Sequence, residues 1–225
     1  MSGTVAAIVA KELRIERRAP QLLPAMVLFS VATFVVFHFA LQRDTLEGPL
    51  AAGVLTATLL FAAMLGIGRL FVLDREEGGL DGIVLAPVEA TELFAAKLVV
   101  LVLYLVLVEL IALPAFALLL LGTPLDGERI GQLALVLLLA DAGIAVIGVL
   151  VGAIAVQTRV RDLLVPLLGL PLLLPVVIGV AQLLAAVFAT GPSPGLPGRW
   201  LAIVALYDGV FGLLAYALFD ALIED

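Results

Sequence analysis

Apolar residues along this chain neither alternate nor keep to one helical stripe; they run in uninterrupted blocks. Six blocks stand out, at 22–41, 50–73, 98–121, 133–156, 163–190 and 200–219. Crossing a hydrocarbon core of about 30 Å takes roughly 20 apolar residues in a helix, and every block meets that length. The first carries no formal charge. The second has only Arg69, the third only Glu109, the fourth only Asp141 and the sixth only Asp208. The fifth is uncharged but contains Pro166, Pro171 and Pro175. Helices apolar on all sides need lipid or protein around them. The expectation is an all-α membrane protein of six transmembrane helices, forming one transmembrane domain over 1–225. The first block is too long for a signal-peptide core and no A-x-A site follows it, so it reads as a retained anchor.

The segments between the blocks have their own patterns. Ahead of the first span, residues 4–19 place Lys11, Arg14 and Arg18 on one helical face and Glu12 and Glu16 on another. Such a helix lies on the membrane surface, with its basic face toward anionic headgroups, or acts as an elbow that braces the bundle. Between the second and third spans, 74–92 opens with acidic residues and a glycine pair. Leu80, Ile83, Val84 and Pro87 then recur at helical spacing. Ala86-Pro87 ends that short helix, and Thr91 is placed to cap the next one. The segment therefore reads either as a surface connector or as a docking element inserted into a groove of a cytoplasmic partner. The fifth block spans 28 residues and is followed by GPSPGLPGR, which cannot be helical. With three prolines inside it, this span is expected to break near its outer side, with re-entrant helices before the sixth.

Composition removes most other classes of function. Of 225 residues 64% are hydrophobic and 14% charged, with a mean hydropathy of +1.25. A soluble domain has about 45–50% and about 25%. The net charge of −7 argues against nucleic-acid binding. The absence of cysteine excludes disulfides, thiolate metal sites and a cysteine nucleophile, and one histidine excludes a multi-histidine metal centre. No GxxxxGK[ST] phosphate loop is present, so any ATP-driven role needs a second chain. With the N-terminus placed inside, Lys11, Arg14, Arg17, Arg18, Arg69, Arg75, Lys97, Arg159 and Arg161 are cytoplasmic. Only Arg43, Arg129 and Arg199 are then outside, so the bias sets both termini in the cytoplasm.

The loop between the second and third spans carries a resemblance. Arg69-Leu70-Phe71, then Asp74-Arg75-Glu76-Glu77-Gly78-Gly79-Leu80-Asp81-Gly82, Val84-Leu85-Ala86-Pro87 and Ala96-Lys97 resemble the CcmB family. Val108-Glu109-Leu110 and Leu113-Pro114 with Phe116 continue the likeness into span three. Gly79 departs from it, since many relatives have Ser or Thr there. The family is the permease subunit of the haem exporter of cytochrome c maturation, an ABC-2-type membrane protein. The resemblance implies an N-terminal interfacial elbow helix, a cytoplasmic coupling helix between spans two and three, and no ATPase in this chain. It implies a homodimer working with two ABC ATP-binding subunits and a haem-handling membrane partner in the inner or plasma membrane. It also implies that haem is a transported substrate, with ATP on the partner and no cofactor bound here. The ATPase-coupling residues are then Asp74, Arg75, Glu76, Glu77, Gly78, Leu80, Ile83, Val84 and Pro87.

Four readings compete for the function: a haem-delivery permease, an ABC-2 exporter of a drug, lipid or polysaccharide, an ion-coupled carrier, and a scaffold that moves nothing. A carrier would show paired broken helices in its two halves, and only span five looks broken. No catalytic set is visible. Glu109, Asp141 and Asp208 are the intramembrane polar residues. A carboxylate at mid-membrane costs roughly 2.5–3.5 kcal/mol on insertion scales, and such residues face the bundle interior. They line a substrate or proton path, or they bond a neighbouring helix; Tyr207 stands beside Asp208. His38 near the outer end of span one is a remote haem-ligand candidate, and Phe34, Phe37 and Phe39 around it are expected to face lipid. Gly148 and Gly152 form a GxxxG spacing for close helix approach, and Trp200 suits an interfacial anchor.

Overall fold

The computed structural model describes residues 3–71, 89–122, 125–156, 158, 161–191 and 195–223. All regular structure among these residues is helical. The helices are α1 (Gly3–Arg18), α2 (Leu22–Ala40), α3 (Gly48–Arg69), α4 (Ala90–Leu119), α5 (Gly127–Val156), α6 (Arg161–Val187) and α7 (Gly198–Ile223). The last six are long and apolar enough to cross a membrane. The chain runs up α2 and down α3 and continues in alternation, so one end of the bundle gathers α1 and the α3–α4 connection. That end is called the N-terminal face below, and the opposite end the far face.

α5 is the centre of the bundle. From Gly143 to Val156 only Ile154 keeps partial exposure. α6 packs against both α3 and α5, α7 lies outside α5, and α2 lies against α3 and α4. The outward faces carry Leu28, Leu118, Leu163 and Leu213, each at least 70% exposed. A water-soluble fold rarely leaves so much contiguous apolar surface uncovered, whereas hydrocarbon costs it nothing. Small residues let α5 approach its neighbours. A Cβ on Gly148 would meet Ile67 at 2.7 Å and Leu101 at 2.9 Å, and one on Gly152 would meet Phe71 at 3.0 Å. The GxxxG spacing is thus a close approach of α5 to α3 and α4.

The far face is stitched by backbone and aromatic contacts. The Leu46 N–H donates to the Leu120 carbonyl and the Gly48 N–H to the Phe188 carbonyl. Gly48 has φ +52, in the left-handed region where a side chain is strained, and Pro49 stands in the first turn of α3. Phe116 packs against Phe34 at 5.2 Å and Phe188 at 5.6 Å between ring centroids. Phe34 is therefore core rather than lipid-facing, while Phe39 is 74% exposed.

Two further expectations are corrected. Span five does not break: α6 is one helix from Arg161 to Val187 with all three prolines inside it. In a bundle, neighbouring side chains can re-satisfy backbone that proline frees. Here the Tyr207 hydroxyl donates to the Leu172 carbonyl at 2.7 Å, in the turn between Pro171 and Pro175 and one residue after the carbonyl that Pro175 leaves without its helical donor. Thr91 is not a cap, because α4 begins one residue before it; Glu89 is the N-cap, and the Thr91 hydroxyl reaches the Glu89 carboxylate at 3.5 Å. The face of α1 opposite its basic residues is the buried one. Val5, Val9, Glu12 and Glu16 follow a 4-3-4 spacing that puts them on one face, and all four are buried.

Candidate functional site

Two polar clusters are built into the apolar bundle, at different depths. The first closes the N-terminal face. Lys97 stands two turns into α4 with 1% of its surface exposed. Its Nζ donates to Glu12 Oε1 at 2.7 Å and to the Leu70 carbonyl at 2.9 Å, and it sits 5.2 Å from the centre of the Phe71 ring. A buried ammonium needs such partners, since neither water nor lipid compensates its charge there. One turn further along α1, Glu16 Oε1 accepts the backbone N–H groups of Gln21, Leu22 and Leu23 at 3.2, 3.0 and 2.9 Å. These are free donors at the start of α2, which has no side-chain cap of its own. A carboxylate at a helix N-terminus also answers the helix dipole. The two glutamates thus fasten α1 to α2 and α4.

Lys97 also grips the chain on both sides of the α3–α4 connection. It belongs to the helix that follows that connection and bonds the residue before Phe71, the last residue described ahead of it. The expected coupling residues Asp74, Arg75, Glu76, Glu77, Gly78, Leu80, Ile83, Val84 and Pro87 lie outside the described residues, within 72–88. Glu12, Glu16 and Lys97 did not stand out in the sequence as site residues. The 4-3-4 spacing of Val5, Val9, Glu12 and Glu16 was the available signal, and Lys97 was read only as a cytoplasmic charge and as the end of the family motif.

The second cluster lies at mid-bundle. Glu109 from α4 and Asp141 from α5 are both buried and meet at one place in the interior. With Thr56 from α3 they line one cavity, closed otherwise by aliphatic side chains of α3, α4, α5 and α6 such as Leu105, Val176 and Val180. About 20 Å³ of it is open to the centre of a water-sized sphere. Asp208 is not part of this group. It lies on α7 against Gly143 of α5, where any side chain would collide with its carboxylate, and neither of its oxygens has a partner among the described residues. The structure thus unites two of the three intramembrane carboxylates and sets the third on the outer flank of α5.

The remaining polar residues at the far face serve structure. His38 Nδ1 donates to the Leu119 carbonyl at 2.7 Å, tying α2 to the end of α4. Arg129 donates to the carbonyls of Val187, Ala189 and Gly191, so it caps the end of α6 and orders the chain leaving it. Arg199 lies over the Trp200 ring. Among the described residues no three His, Asp or Glu side chains are grouped to hold a metal ion.

A six-helix membrane bundle with a buried ion pair at one face and a carboxyl pair at its centre defines a multi-spanning membrane protein. The chain belongs to the CcmB family, whose description is "CcmB protein" and which matches residues 4–223. Heme exporter protein B of Bradyrhizobium diazoefficiens is 33% identical over 216 residues, 95% of each chain. Heme exporter protein B of Pseudomonas aeruginosa is 31% identical over 196 residues, 87% of this chain and 86% of that protein. The protein of the same name from Rhodobacter capsulatus is 33% identical over 153 residues, 68% of each.

Proposed function

We propose that this chain is the membrane subunit of an ABC transporter complex that exports or delivers haem for c-type cytochrome biogenesis, driven by a separate ATP-binding subunit. The observation that carries this reading is the near full-length similarity to proteins named Heme exporter protein B. The sequence contains no phosphate loop of its own, so the nucleotide belongs to a partner. The assembly is read as two copies of this chain with two ATPase subunits, working beside a haem-handling membrane protein. The N-terminal face is read as cytoplasmic, on the Lys and Arg bias.

In this reading the segment with Leu80, Ile83 and Val84 docks into the ATPase. Closure of the ATPase dimer on ATP pulls the segment, and the Lys97 knot passes the movement to α1, α3 and α4 together. A neutral connector would let α3 and α4 move separately. A haem stain for c-type cytochromes in cells lacking the gene tests the proposal. Wild type restores the cytochromes, and a normally expressed Leu80→Asp/Ile83→Asp variant does not. Unaffected cytochromes in the deletion strain would return the chain to the ABC-2 exporters of another substrate.

One observation favours a second reading, in which the complex holds and releases a haem carrier and passes no haem through this chain. The central cavity has room for about one water and none for a porphyrin. Proteoliposomes of the whole complex separate the two: haem appears inside vesicles with ATP on the first reading, and only the carrier dissociates on the second.

A further inference from the structure

Glu109 and Asp141 are both buried, at 9% and 2% exposure, and come from different helices. An ionised carboxylate only accepts hydrogen bonds, so two carboxyl groups can bond each other only when one of them carries a proton. Among the described residues Asp141 Oδ2 has no partner, and neither has Thr56 Oγ1, itself 7% exposed. Both residues line the same cavity, whose ≈ 20 Å³ exceeds the roughly 10–15 Å³ that one water requires. A water needs two or more polar partners, and these two orphaned atoms supply them.

From this geometry we infer that Glu109, Asp141 and Thr56 form an intramembrane proton-binding site, in which the two carboxyl groups hold one proton between them and the cavity holds one water. A metal ion does not suit the same place. Hard divalent cations take six or more oxygens, whereas three side chains offer at most five, and the rest of the lining is aliphatic. The charged and titratable groups facing the site are few. α4 and α5 contribute Glu109 and Asp141, α3 contributes only the Thr56 hydroxyl, and the α6 lining is Val176, Val177, Val180 and Leu184. Asp208 of α7 packs on Gly143, two residues along from Asp141. No cation among the described residues lines the cavity, so a proton is what neutralises the pair.

The site binds α4 to α5 through the proton itself. Losing it leaves two carboxylates face to face in hydrocarbon, which separates the helices or draws in water. The site therefore reports, and responds to, any movement of α4 against α5. This inference does not rest on the identity of the transported molecule.

Infrared spectroscopy of the purified full chain in lipid nanodiscs at neutral pH is the test, read on the C=O stretching band of protonated carboxyl groups. Wild type is expected to show the band, and Asp208→Asn to keep it. In Glu109→Gln Asp141 keeps a proton in its aliphatic surroundings, so the band remains but shifts, because the partner is now an amide, while the bundle stays folded. Glu109→Gln/Asp141→Asn made on the Asp208→Asn background abolishes it, with an amide pair preserving the contact. Absence of the band in wild type, or its persistence in that triple variant, overturns the inference, and loss in Asp208→Asn alone reassigns the proton to Asp208. Labelling with dicyclohexylcarbodiimide, which attacks protonated carboxyls from the lipid phase, gives a second readout by peptide mass spectrometry. The adduct is expected on Glu109 or Asp141, and an adduct-free pair in folded wild type counts against the site.

Discussion

The two polar clusters of this bundle are opposites. At the N-terminal face Lys97 meets Glu12 as a pair of unlike charges, backed by the Leu70 carbonyl and the Phe71 ring. At mid-bundle two like groups meet, and Asp141 and Thr56 keep atoms that no side chain among the described residues satisfies. The first cluster is complete within the chain and holds one arrangement. The second is complete only with something added. Completeness separates a joint from a site, because a joint loses by any change, whereas a site must exist in two occupancies. Burial alone does not distinguish them, since all four charged residues are at least nine-tenths buried.

Breaking the joint gives the largest effect. Lys97→Met leaves the Glu12 carboxylate buried without its cation, and removal of one partner of a buried pair costs about 3–5 kcal/mol. A fall of that size is expected in the unfolding free energy of the detergent-solubilised protein, or a loss of accumulation in membranes. Glu12→Gln/Lys97→Met removes both charges and should recover most of it. Failure of the double variant to recover would show that Lys97 holds the Leu70 carbonyl more than it holds Glu12.

The next effect comes from the packing that surrounds both clusters. Gly148→Val would drive methyl groups into Ile67 and Leu101, where a Cβ alone already comes within 2.7 Å and 2.9 Å. Overpacking of this kind costs about 1–3 kcal/mol. The same measurement on Gly152→Ala should show less, because its nearest neighbour is the Phe71 ring at 3.0 Å, a side chain with some room to turn. Equal costs at the two positions would place the tight contact at the wrong turn of α5. Glu16→Ala follows. It removes the acceptor of three N–H groups at the start of α2, and loss of a capping side chain costs about 0.5–2 kcal/mol. Hydrogen exchange at Leu22 and Leu23 should accelerate in that variant and stay unchanged at the far face.

The helices were legible from the sequence because each apolar block is unbroken and long, and hydrocarbon imposes one solution on such blocks. The family was legible from the motif that begins at Arg69. Legibility ended where the deciding contact was between helices. Three prolines in the fifth block argued for a break, and the Tyr207 hydroxyl that steadies the helix at Leu172 comes from the next span. Phe34 looked lipid-facing because nothing nearby in sequence announces Phe116. Glu109 and Asp141 were visible as lone intramembrane carboxylates, but their pairing depends on the register of α4 against α5. Lys97 was the least legible of all: its partner lies 85 positions earlier, in a helix whose basic face drew attention from its acidic one.

The smallest effect bears most directly on the mid-bundle cluster. Thr56→Val replaces the orphaned hydroxyl by a methyl of nearly the same size, so packing is kept and only the polar atom goes. With a water in the cavity the variant loses one hydrogen bond, worth about 0.5–1.5 kcal/mol, and Asp141 loses its link through that water to α3. A dry cavity predicts the reverse, since deleting a buried, unpaired hydroxyl relieves its desolvation and stabilises the fold. Thr58→Val is the matched control on the same helix. The Thr58 hydroxyl is buried but already bonded to the Val54 carbonyl at 2.7 Å, so no water is at stake. Equilibrium unfolding of the two variants side by side then reads the sign. Thr56→Val below wild type means the central cluster is completed by solvent. Thr56→Val above wild type means that it stands incomplete, and the difference between joint and site would have to rest on the proton alone.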